Sequence, residues 1–377
     1  MSNDLIELLR IAVGLQECFT HALTEDEWKE LYDEVKKQSI VGVCFAGIEG
    51  LPKEQLPPRE LIMQWYGYAE CIRLQHVKQR EALLRVCQLL KTEKLNFRIM
   101  KGLGVAAYYH TSNNSRMCSE LRSLGDFDIW INASKTHILN FARKYGRVGD
   151  VVYHHVDAGQ IMGVECELHF HPTSLKNVIA NNRMQRWFDE RFDDKEVLKV
   201  NGQEIPVTSL EFNRIYILNH IYRHLLYEGV GLRQFLDYYF VLKASAIMDK
   251  SMTRELIRRF KMENFSNAIT WVMLYIFAPK ALQTGVLPDW VIGLPDEWRG
   301  RTLLHEMVMG GNFGHANRDK KYMLTDHWNK RYTNRIRYDL KFLRQYPEEV
   351  LWRPVWFVWE RWNKWCERYY NLLFTKL

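Results

Sequence analysis

The sequence predicts an α+β fold, a small mixed-sheet core flanked by N-terminal and C-terminal α-helical domains. Three observations carry this expectation. Apolar residues recur at helical spacing through about the first ninety residues, short alternating segments interleave with helices from Leu95 onward, and helical spacing returns after "LKVNGQEIPVTS" and persists to Leu377. The boundaries fall at residues 1–93, 94–200 and 201–377.

In the first region, "TEDEWKELYDEVKKQ" opens with a Thr24 cap and an acidic first turn, which complements the positive end of a helix. "GIEGLPKEQLPP" is a loop rich in Gly and Pro, and Pro57 and Pro58 lead into a long helix with a continuous apolar stripe. In the second region, "LNFRIM" is a short strand, "KGLG" a turn and "VAAYYH" a helix start. After the polar loop "HTSNNSRM" come the strand "DFDIWI", a helix around "KTHILNFARKY", and the strands "DVVYHHVD" and "VECELHFHP". The last region contains the helices "SLEFNRIYILNHIYRHLLYEG" and "GLRQFLDYYFVLKASAI" and a tail holding six of the 13 tryptophans.

Composition narrows the class of protein. At 377 residues, 47% hydrophobic and with only 10 prolines, the chain can bury a large core, so extended disorder is excluded. No apolar run approaches the roughly 18–20 residues that cross a bilayer, and the N-terminus is acidic where a signal peptide would be basic, so a cytoplasmic protein is expected. The seven cysteines are scattered and never form a Cys-x-x-Cys pair, which argues against a zinc ribbon or a disulfide framework. A net charge of +7 is mild for this length and does not call for nucleic acid as a partner. The segment from His315 carries 14 Lys plus Arg against 7 Asp plus Glu, so the excess sits at the C-terminal end, where an acidic partner could dock.

The stretch "LRSLGDFDIWI" places Asp126 and Asp128 one residue apart in an apolar run. In a strand both point to one face, with Cα atoms roughly 6.5–7 Å apart, while Phe127, Ile129 and Ile131 line the other. Burying two like charges so close costs several kcal/mol unless something neutralises them. A divalent cation would do so. "VECELHF" alternates too, with Glu165, Glu167 and His169 on one face, and a neighbouring strand could bring one of those glutamates beside the aspartates. Three carboxylates suit Mg²⁺, which takes oxygen ligands. In "IMKGLGVAA", Gly102 and Gly104 let the backbone approach a ligand, and Lys101 could reach a phosphate as a point charge, with Arg122 a second candidate clamp. These parts together describe metal-assisted phosphoryl or nucleotidyl transfer.

"KG" after a strand, then "LRSLGDFDIWI", then "ELHFHP" resembles the DNA polymerase β-like nucleotidyltransferase superfamily, and within it the uncharacterised bacterial nucleotidyltransferases. The downstream "LNHIYRH" and "GLRQFLDYY" extend the resemblance from about Leu95 to Lys243. It implies a nucleotidyltransferase core with Asp126, Asp128 and Glu167 as catalytic metal ligands, and Lys101, Gly102, Gly104 and Arg122 on the phosphate side. It further implies two Mg²⁺ ions, an NTP substrate expected to be ATP, and a small-molecule or protein acceptor that the sequence does not name. Two features depart from the superfamily's pattern: the glycine pair stands about twenty residues before the aspartates, and the third acid is Glu. The alternative is a non-catalytic nucleotide-binding regulatory or scaffold protein of the same fold.

Four further features have plainer readings. His220 and His224 share a helix face, but the His-Glu-x-x-His arrangement is absent, so zinc is not expected there. Arg233 and Asp237 stand at i, i+4 and could pair with each other. "MGGNFGHAN" lacks the lysine and hydroxyl of a phosphate loop. Trp352, Trp356, Trp359 and Trp362 form a stripe that reads as the buried face of a terminal helix, with membrane-surface association as the alternative.

Overall fold

Caps and prolines punctuate the N-terminal helices as the residue types dictate. The Ser2 hydroxyl accepts from the Leu5 N–H to start α1 (Asn3–Ala12). Thr24 and Glu27 form a reciprocal capping box at α2 (Glu25–Lys37), which satisfies two otherwise orphaned donors. The short α3 (Val41–Ile48) is buried throughout, and Pro58 precedes the 34-residue α4 (Arg59–Thr92). A computed structural model describes residues 1–194, 196–310 and 328–374.

The central region contributes β1 (Asn96–Ile99), the single-turn α5 (Leu103–Ala106), β2 (Phe127–Asn132), α6 (Lys135–Tyr145), β3 (His155–Ile161), β4 (Val164–His169), α7 (Val178–Asp189), β5 (Glu196–Val200) and β6 (Gln203–Val207). They form a six-stranded mixed sheet in the order β3-β4-β2-β1-β6-β5. β2 runs parallel to β4 and antiparallel to β1, and β6 runs parallel to β1.

The sheet therefore continues past residue 200, where texture alone set a boundary. β5 and β6 are joined by Asn201 and Gly202, both at positive φ (48° and 78°), the Asn-Gly signature of a tight hairpin turn. Each of these strands has five residues and is partly exposed, so its alternation is too short to stand out in the sequence.

The two faces of the sheet have different fates. Phe97, Ile99, Phe127, Ile129, Ile131, Cys166 and Leu168 pack against Leu83, Val86 and Leu90 of α4 and Ile138 and Phe141 of α6. The other face meets α8 (Leu210–Tyr227) and α9 (Leu232–Ala244), and there Trp130 stacks on Phe212 with ring centroids 5.4 Å apart. That second face carries the charged residues. Trp130 belongs to an apolar cluster that also includes residues of α1 to α4 and of the C-terminal helices, so the sheet is roofed by the helical parts rather than standing apart from them.

The remaining helices are α10 (Ser251–Arg259), α11 (Glu263–Phe277), α12 (Pro279–Thr284), α13 (Glu297–Gly310), α14 (Trp328–Leu343), α15 (Pro347–Val350) and α16 (Arg353–Phe374). Among the described residues no helix is long and apolar enough to cross a membrane. Most of "MGGNFGHAN", from Gly311 onward, lies outside the described residues. The tryptophan stripe divides: Trp356 is 3% exposed and packs edge-on against Tyr153, whereas Trp362 is 61% exposed. Among the described residues, Trp356 is the docked end of the stripe and Trp362 its exposed end.

Candidate active site

Strand register brings two of the predicted carboxylates together. Asp128 on β2 is the direct partner of Glu167 on β4, and in a parallel pair such partners project from the same face. Asp126 sits just before β2, and one carboxylate oxygen from each of Asp126, Asp128 and Glu167 lies within 4.8 Å of the others. Glu165, on the same strand face by alternation, is exposed and stands beyond a bulge opposite Gln160.

The electrostatics follow from this crowding. Burial and the neighbouring Asp128 push the Asp126 carboxyl up to about 6. Asp128 goes the other way. Burial opposes its ionisation, but Lys101, whose Nζ is 2.9 Å from Asp128 Oδ1, and His169, whose Nε2 is 3.2 Å from the same oxygen, hold it below the usual carboxylate value. Glu167 is likewise held well below its ordinary value, burial being outweighed by His169 at 3.4 Å and by Lys101. His169 is correspondingly raised against the effect of its own burial.

Lys101 stands two residues past the end of β1, and between them the Met100 N–H donates to the Asp128 carbonyl at 3.1 Å. Its amine is thus delivered to the aspartates by backbone pairing. Gly102 has φ 64° and ψ −121°, a region that only glycine enters without strain. Gly104 is under no such constraint: a Cβ there would meet the Ile99 carbonyl and Val207 at 3.7 Å, ordinary contact. The helix after the turn is a single turn, α5, so it offers little dipole to an anion.

Arg122 is not aimed at the aspartates. Its Nε and Nη2 donate to the two oxygens of Asp237 on α9 at 2.6 and 2.7 Å, and the Tyr109 hydroxyl donates to the same carboxylate at 2.7 Å. The i, i+4 reading therefore missed the principal partner of Asp237, which lies 115 residues away in sequence.

The loop from Arg122 to Asp126 is also held from below by α4. His76 Nε2–H donates to the Arg122 carbonyl at 2.8 Å, and Gln79 donates to the Gly125 carbonyl at 2.8 Å. Neither residue stood out in the sequence. The available signal was a pair of polar side chains three apart on an otherwise apolar helix face. Lys101, Asp126, Asp128, His220, Arg233 and Asp237 enclose a cavity of about 30 Å³, room for little more than water. His220 and His224 are both buried on α8, and His224 Nδ1 lies 2.7 Å from Glu228.

No curated protein matches the chain. Among solved structures, an antigenic nucleotidyltransferase-like protein from Paracoccidioides brasiliensis aligns at 15% identity over 59% of this chain and 96% of that one, with a TM-score of 0.31, too low to bear on the argument. A family model described as uncharacterised nucleotidyltransferase matches residues 24–278, from the Thr24 cap of α2 to the end of α11 and more than half of the sequence. The chain belongs to this family of uncharacterised nucleotidyltransferases.

Proposed function

We propose that the chain is a Mg²⁺-dependent nucleotidyltransferase of the cytoplasm that moves AMP from ATP to a hydroxyl or phosphate of an acceptor, with release of pyrophosphate. The observation that carries this is the pairing of Asp128 with Glu167 across two strands, with Asp126 completing a trio of oxygen donors within 4.8 Å. The donor set fits the cation: all three groups are carboxylates, and Mg²⁺ binds oxygen at roughly 2.0–2.1 Å. Two such ions, when bound, would polarise the triphosphate and lower the pKa of the attacking hydroxyl.

The chain's own residues supply position and charge. Asp126, Asp128 and Glu167 hold the cations, Lys101 and the Gly102–Gly104 turn steady the triphosphate, and Arg122, fixed on Asp237, positions the loop that carries Asp126. The acceptor would lie in a cleft of about 530 Å³ between the core and α16, lined by Tyr153, Phe170 and His171 on one side and Trp359 and Asn363 on the other. Its aromatic walls suit a planar or apolar acceptor portion.

A second reading is favoured by one observation. With Lys101 already paired to Asp128 over a cavity of about 30 Å³, the closed form resembles a regulatory or scaffold protein that binds nucleotide without turnover. Incubation with ATP labelled at the α-phosphate and cell extract separates the two. The catalytic reading predicts label transferred to a recoverable acceptor and lost with Asp128→Asn. Nucleotide binding with no transfer in any extract fraction would favour the second reading.

A further inference from the structure

The same sheet face extends beyond the carboxylates onto β3, and the side chains there change from oxygen to nitrogen donors. His155 on β3 is the direct cross-strand partner of His169 on β4, and Glu167 precedes His169 by two residues on the same face. We propose that His155 Nδ1, Glu167 Oε2 and His169 Nε2 form a second cation site, one for Zn²⁺ or a similar transition-metal ion. It shares Glu167 with the carboxylate trio, but it does not depend on that trio being catalytic.

Three observations support it. The first is spacing. His155 Nδ1 and His169 Nε2 lie 3.6 and 3.4 Å from the same Glu167 oxygen, and all three atoms fall within 4.8 Å of one another. Ligands at about 2.0–2.1 Å from a tetrahedral ion stand roughly 3.3–3.4 Å apart, so little movement is needed to close around one.

The second is the state of His169. Its Nδ1 faces the His171 carbonyl at 3.2 Å, and a carbonyl can only accept, so Nδ1 carries the proton. Nε2 is then the ring nitrogen turned towards the oxygens of Asp128 and Glu167, at 3.2 and 3.4 Å, and the one placed to meet an ion between the two strands. A backbone carbonyl holding the far ring nitrogen is the usual orienting contact of a metal-binding histidine.

The third is an orphaned donor set. His155 Nδ1 is buried without a hydrogen-bond partner, as is Nε2 of the adjacent His154, whose ring centroid lies 4.4 Å from that of His155. Buried polar atoms left unpaired are costly, and an ion at this point would engage the first of them. Two imidazoles and one carboxylate select a borderline transition metal over Mg²⁺.

Co²⁺ is the probe, because four-coordinate Co²⁺ absorbs far more strongly in the visible than the hydrated ion. Titrated into the full chain, it should develop one equivalent of the intense tetrahedral band, be displaced by Zn²⁺ and resist millimolar Mg²⁺. His155→Ala should weaken binding by at least tenfold, whereas Asp126→Asn should leave the band in place. No intense band, or a band that survives His155→Ala and disappears with Asp126→Asn, would overturn the proposal. Should His155→Ala fail to fold, the wild-type Co²⁺ complex still decides: strongly shifted NH proton resonances from two imidazoles support the site, and their absence refutes it. Because none of these readouts uses turnover, failure here is distinct from failure of the nucleotidyltransferase reading.

Discussion

Asp126 is the residue at which burial and like charge meet most directly, and its titration can be followed in stability. Its folded value, about 6, lies above the ordinary carboxylate value of 3.8, so the protonated form is the one that folding favours. Its contribution is therefore fully present below about pH 4 and is lost as pH rises through 6. Asp126→Asn should stabilise the metal-free protein by on the order of 2 kcal/mol at pH 7.5, after a discount for partial exposure, and by almost nothing at pH 4. Chemical denaturation at the two pH values checks this. At Asp237 the expectation has the opposite sign: truncation to Ala leaves the buried Arg122 guanidinium without its bidentate partner and should cost about 3–5 kcal/mol. A melting temperature unchanged by that substitution would show that the pair is not the tether described here. Alternation has a fixed period, so Asp128 and Glu167 could be assigned to strand faces, but it did not choose Glu167 over Glu165, and Asp126 lies just before β2 rather than within it. The partner of each charge was not legible. Lys101 reaches Asp128 through the pairing of β1 with β2, and Arg122 reaches Asp237 across 115 residues.

At the scale of elements, the site is built by α4 from below and by α8 and α9 from above. The hydrogen bonds from His76 and Gln79 to the loop carbonyls make α4 a rail for the segment that delivers Asp126. Gln79→Leu should leave the fold cooperative but misplace that loop, and a shift of about 1 Å at a catalytic group can cost roughly 100-fold in turnover. Steady-state transfer rates beside a circular dichroism melt test this, and a fall in stability matching the fall in rate would argue against it. From above, Trp130 is held between Phe212, stacked at 5.4 Å, and Phe192, edge-on at 4.8 Å. Trp130→Ala should cost about 3–5 kcal/mol. Helices α2, α4 and α6 were legible to within a residue or two from caps, prolines and apolar spacing. The hairpin of β5 and β6 was not, since its short strands lose their alternation among exposed residues.

At the scale of the whole molecule, the abundance of buried histidine sets the response to acid. Burial holds His76, His155 and His171 down to about 4, and His154, His220 and His224 also below the ordinary value of 6.5. Groups depressed in this way contribute stability above about pH 6.5 that is lost as pH falls towards 4. The unfolding free energy from urea titration should therefore drop between pH 7 and 4.5, by several kcal/mol in total, and His76→Gln should flatten part of that slope. The sheet order could not be read from the sequence, because β1 pairs with both β2 and β6 and those contacts are set by the packing of distant helices. The central claim is that Asp126, Asp128 and Glu167 act as one cation-binding unit in nucleotidyl transfer. The most direct measurement is Mg²⁺-dependent pyrophosphate release from ATP, in the presence of the extract fraction that accepts label, for wild type, Asp128→Asn and Glu167→Gln. Turnover that requires Mg²⁺ and falls by at least 100-fold in both variants is the predicted result. Release that persists in either variant, or that proceeds unchanged with the cation chelated, would contradict it.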